Sequence, residues 1–120
     1  MLNKQIRRFL EKQEYLYIGT ADTKCIPHTS AKPILRVDDD TIYLVDYIFG
    51  DTSNNIKVNS KVSLSGMDNE TLGGYQFSGV AKVLEDGTEY EELLKDLHVR
   101  QVSFATERLI QGVRRGKKSK

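Results

Sequence analysis

Ile42 to Leu64 reads IYLVDYIFGDTSNNIKVNSKVSL, and the fold turns on how this stretch divides. Ile42 to Val45 is apolar and β-rich, which predicts a strand. A glycine-containing turn at Gly50 follows. Thr52 to Asn55 (TSNN) are helix-starting types and predict a short helical turn. Asn59 and Ser60 stop it, and Lys61 to Gly66 predicts a second strand. Nothing apolar fills Asp51 to Asn55, so the segment is not simply core. Hydroxyls, amides and unbonded N–H groups at a helix start suit an anion such as a phosphate. The same residues also suit an ordinary capped connecting helix, and the local sequence favours that plainer reading.

Toward the N-terminus, Leu2, Ile6, Phe9 and Leu10 recur at helical spacing, so Leu2 to Gln13 predicts an amphipathic helix. Tyr15 to Thr20 (YLYIGT) predicts a strand, and Ala21 to Lys24 a turn. Cys25 to Val37 (CIPHTSAKPILRV) is extended again. Pro27 and Pro33 forbid a helix there and remove ladder donors, so this strand must kink, bulge or go partly unpaired. Bent in this way, it carries His28, Thr29, Ser30 and Lys32 as a platform for a polar ligand. The competing reading is an edge strand guarded by proline and lysine. Asp38-Asp39-Asp40 predicts a tight hairpin turn, because calcium-loop spacing is missing.

Toward the C-terminus, Met67 to Gly74 connects a hairpin and Tyr75 to Leu84 (YQFSGVAKVL) predicts a long strand. On it, Gly79 and Ala81 leave room for a close approach by a strand or a ligand. Asp86-Gly87 is a turn. Thr88 and Glu91 read as a capping box opening a helix from Glu89 to Leu97. Val99 to Phe104 predicts a sixth strand from its β-formers, with a short helical turn from Thr106 to Gly112. Short connections make the strands antiparallel. The fold class is therefore mainly β: a small antiparallel barrel with helices at its ends.

The chain has 120 residues, a net charge of +1 and one cysteine, Cys25. That length suits one domain, here residues 1–112, followed by a basic tail, 113–120, that is expected to be solvated and disordered. Near-neutral charge makes nucleic acid an unlikely partner, even though Tyr15, Tyr17, Tyr43, Tyr47 and Tyr75 and the tail would supply rings and cations. A lone cysteine excludes an internal disulfide and fits a cytoplasmic setting. No apolar run approaches membrane-spanning length, and no secretory leader is visible. Cys/His metal clusters, a GxSxG elbow, a Walker A motif and GxGxxG are all absent, so no metal site and no nucleophilic triad is expected. Any chemistry would come from a bound cofactor.

In order and spacing, YLYIGT, IPHTSAKPI, LVDYIFGDTSNNIKVN, SKVSLSG and YQFSGVAKVLEDG together resemble the flavin-binding split barrel of the pyridoxamine 5'-phosphate oxidase family, over roughly Phe9 to Gly87. The resemblance implies a six-stranded Greek-key split β-barrel with short flanking helices. It implies FMN, with Ser30, Ala31 and Lys32 along the ring, Val45 and Asp46 at its other edge, and Gly50, Asp51, Thr52 and Asn55 at the phosphate. It implies a homodimer with the cofactor cleft at the interface, and a flavin-dependent oxidoreductase acting on a small molecule. The alternative is a flavin-binding or electron-transfer protein without turnover. One residue departs from the pattern. Many relatives place lysine or arginine immediately before the threonine aligned with Thr52, whereas this chain has Asp51. A carboxylate against a phosphate is repulsive by about 1 kcal/mol when well solvated, and by more when buried. Lys32, Lys57 or a partner's basic residue would have to compensate; otherwise FMN would bind weakly or a different ligand would sit there.

Overall fold

The computed structural model describes residues 2–46 and 50–99. The chain divides into two compact units, Met1–Val83 and Leu84–Lys120. The first unit begins with α1 (Lys4–Glu11) and continues through β1 (Tyr15–Ala21), β2 (Pro27–Val37) and β3 (Ile42–Leu44). It then forms α2 (Asp51–Val58), β4 (Lys61–Met67) and β5 (Gly74–Val80). All neighbouring strands run antiparallel in the order β3-β2-β1-β4-β5. Within it, β3-β2-β1-β4 is the Greek-key arrangement, with three hairpin-linked strands and a fourth returning beside the first. The sheet curls into a half-barrel, compatible with a split barrel.

Helix α1 is shorter than its apolar pattern suggested. The Asn3 side chain accepts the Ile6 N–H at 2.9 Å and caps the first turn. At the other end, Lys12 and Gln13 donate three residues back, to Phe9 and Leu10, and tighten the last turn. The apolar stripe does what its spacing implied: Phe9 and Leu10 are buried, and Leu2 and Ile6 pack against them. Leu10 and Leu16 are the most enclosed side chains, each contributing about 1.5–3 kcal/mol. Phe9, Leu10, Leu16 and Ile34 form the centre of the core, with Leu64, Tyr75 and Phe77 packed against it. The Phe9 and Tyr75 rings lie 4.6 Å apart, centre to centre.

Pro33 divides the work of β2. Residues 27–33 pair with β1, and Ile34 to Val37 pair with β3. The register shifts between Ile34 and Arg36, a bulge that turns both Ile34 and Leu35 inward. The expected kink is therefore real, and it hands β2 from one neighbour to the other.

Strand β5 ends at Val80, four residues before the expected end, and Ala81 bonds back to the Ser60 carbonyl. A Cβ on Gly79 would meet nothing within 4 Å, so the room foreseen there is open space. The tight glycine is Gly66. A Cβ there would meet Leu16 Cδ2 at 2.9 Å and Phe9 Cζ at 3.1 Å, both core side chains.

In the second unit, residues 88–99 form a helix, α3. The Gly87 carbonyl accepts the Glu91 N–H at 3.0 Å, placing the cap one residue before the expected Thr88. Leu93 is buried, and Glu91, Glu92 and Lys95 are exposed, as their spacing predicts. The expected sixth strand is corrected here. Val99 is still helical, and the described residues hold five strands. Neither glycine nor proline interrupts Leu97-His98-Val99, so the helix continues past the point where β-propensity suggested an end. The rest of that expected strand, the helical turn after it and the basic tail lie outside the described residues. Among those described, no helix is long and apolar enough to cross a membrane.

Gly66→Ala is expected to destabilise the protein by about 1–3 kcal/mol through overpacking. Gly79→Ala is expected to be neutral or to stabilise by about 0.5–1 kcal/mol. Urea unfolding of the two variants checks both values.

Candidate functional site

Alternation along β2 puts His28, Ser30 and Lys32 on one half-buried face. Across the ladder, these residues face Thr20, Ile18 and Leu16 of β1. Thr29 and Ala31 point the other way and are exposed, and Ala31 lies opposite Tyr17. The expected trio Ser30, Ala31 and Lys32 is thus split, with Ala31 on the opposite side of the sheet.

Helix α2 packs on the His28 side. Gly50 is its N-cap and supplies no side chain, so the expected Thr/Ser/Asn cap is not used. Those side chains turn inward instead. Thr52 and Ser53 are buried, at 5% and 3% exposure. The hydroxyls of Thr52 and Ser30 share a hydrogen bond of 2.8 Å. Ser53 Oγ donates to Asp46 Oδ2, and Asn55 Nδ2 donates to Thr20 Oγ1 at 3.1 Å. Lys32 Nζ meets Asp46 Oδ1 at 2.8 Å, with the two side chains only 18% and 21% exposed. Val45 sits beside this group, its N–H donating to the Pro33 carbonyl.

Ser30, Lys32, Asp46, Thr52 and Asn55 are therefore brought into one cluster. Thr20 and Ser53 join it without having been foreseen. A signal for Thr20 existed: it follows Leu16 and Ile18 on the buried face of β1. Nothing local marked Ser53 as different from its polar neighbours. Asp51 opens α2 and is exposed.

The charges and donors in this cluster serve one another. Both oxygens of Asp46 are engaged, and Lys32 is held against one of them. Lys57 lies in the last turn of α2, six residues and about 9 Å of helix axis from Asp51. These described residues do not fit the phosphate dianion of FMN: the Thr52 and Ser53 hydroxyls face inward, the Lys32 ammonium is neutralised by Asp46, and Asp51 puts an exposed carboxylate in the first turn of α2.

Three comparisons bear on this geometry. A family model described as pyridoxamine 5'-phosphate oxidase matches residues 2–115. Among solved structures, a single-substitution variant of HupZ from Group A Streptococcus is 30% identical, with a TM-score of 0.76, covering 83% of this chain and 85% of that one. HutZ, the heme storage protein of Vibrio cholerae, is 20% identical, with a TM-score of 0.67 and coverage of 82% and 75%. A Clostridium acetobutylicum protein of the pyridoxinephosphate oxidase family, related to general stress protein 26 of B. subtilis, is 21% identical, with a TM-score of 0.65 and coverage of 74% and 63%. A comparison with curated proteins finds no match.

If the cluster is a structural clasp, Ser30→Ala and Thr52→Val should each cost about 1–3 kcal/mol, because each leaves a half-buried or buried hydroxyl without its partner. The double variant should cost less than the sum, with a coupling of about 0.5 kcal/mol or more. Urea unfolding of the four-protein cycle measures this, and strict additivity would contradict the clasp.

Proposed function

This chain belongs to the pyridoxamine 5'-phosphate oxidase family, and on that premise we propose that it binds a planar ring cofactor against β2, a heme-type tetrapyrrole rather than FMN anchored by its phosphate. The carrying observation is the pairing of Lys32 with Asp46 beside an α2 that begins with Asp51. A phosphate would find no uncommitted cation among the described residues of this cluster. The Vibrio cholerae neighbour, described as a heme storage protein, supports the choice of ring. So does His28, whose imidazole stands half-buried on the same face as Ser30 and Lys32. Neutral imidazole is a common iron ligand.

In this reading β2 supplies the wall of the cleft, and α2 is held against it by Thr52, Ser53 and Asn55. A homodimer with the cleft at its interface belongs to the same proposal. Its support is the family resemblance; Tyr15 and Tyr17, exposed and packed edge to face, lie on the opposite side of the sheet from Lys32 and do not line this cleft. A cytoplasmic setting is also proposed, on the exposed free thiol of Cys25.

The second reading keeps a flavin, favoured by the family description itself. It comprises both the oxidoreductase acting on a small molecule and the electron carrier without turnover. The ring would then have to be held without help from its phosphate. Among the described residues, the acid and base closest together in the cluster are Lys32 and Asp46, and they are already paired.

Titrating the purified protein with hemin and separately with FMN, then removing unbound cofactor, separates the two readings. A retained, shifted Soret band with a colourless FMN sample is expected. His28→Ala should lower hemin retention and move the band. Firm FMN retention without hemin binding would reverse the proposal.

A further inference from the structure

The cluster around α2 can be read as a specificity device. We propose that Asp46 and Asp51 exclude phosphate-bearing cofactors from this cleft, Asp46 by occupying Lys32 and Asp51 by placing a carboxylate at the head of α2. The inference rests on the cofactor cleft lying on β2, but not on which ring fills it.

Two features give it force. Lys32 and Asp46 are both about four-fifths shielded from water, so the ammonium cannot turn to a ligand without leaving a shielded carboxylate behind. Ser53 bonds the second oxygen of the same carboxylate, so releasing Lys32 would also disturb the seat of the helix. Asp51, by contrast, is exposed and free to face whatever approaches the first turn. Negative charge there suits the helix dipole, which satisfies the N-terminus internally and leaves less of it for an anion. The residue types of an anion site are present, but their charges and hydrogen bonds are turned to holding the fold.

The distinguishing ligands are FMN and riboflavin, which share a ring and differ by one phosphate. Retention of each is measured by equilibrium dialysis with the full chain, D51K and D46N/D51K. The unaltered protein should hold FMN no more tightly than riboflavin. D51K should raise retention of FMN relative to riboflavin about tenfold, and the double variant should raise it further as Lys32 is released. D51K changes an exposed residue and leaves the inner cluster intact, so the test survives if D46N fails to fold. Preference of the unaltered protein for FMN would overturn the inference. So would no gain in D51K, or an equal gain for both flavins. Hemin retention in the same proteins keeps the two proposals apart. A phosphate-specific gain without hemin binding removes the heme reading alone, and hemin binding without that gain removes this one.

Discussion

The ion pair between Lys32 and Asp46 joins two parts of the chain that the sheet alone would leave apart. Lys32 lies in the middle of β2, and Asp46 lies just past the end of β3. Their contact at 2.8 Å fixes where the chain leaves the sheet on its way to α2. Ser53, on the same carboxylate, then fixes where α2 comes to rest. A largely shielded pair of this kind adds little net stability, because desolvation offsets much of the attraction. Its larger effect is positional: removing either partner would strand the other. The hydroxyl pair of Ser30 and Thr52 and the amide bond from Asn55 to Thr20 repeat the arrangement with neutral groups. Helix α2 has little apolar surface of its own, so polar contacts must do most of the holding.

The rest of the same face of the sheet is apolar and close-packed. Gly66 lets Phe9 of α1 settle over Leu16 of β1 where any side chain would intrude. Tyr75 and Phe77 of β5 extend that packing along the same face. The core thus joins α1, β1, β4, β5 and the Ile34 end of β2 through shape, while α2 is held to β1 and β2 through hydrogen bonding and the Asp46 carboxylate.

Much of this was legible in the order of residues. The apolar spacing of α1, the alternation in β1, the proline-forced bend in β2 and the polar start of α2 each follow from local pattern, because backbone geometry sets which side chains share a face. Family membership was legible too, in the succession of motifs rather than in any single one. Tertiary structure decided the remainder. Whether Thr52 and Ser53 face a ligand or the sheet depends on partners 22 and 7 residues away. The close approach belongs to Gly66 and not Gly79 because Phe9 arrives from a distant helix. Lys32 is a neutralised cation only because β3 ends beside it. Local spacing determines the face a side chain occupies, but its partner, and hence its charge and chemistry, is set by which distant residue the fold brings within about 3 Å.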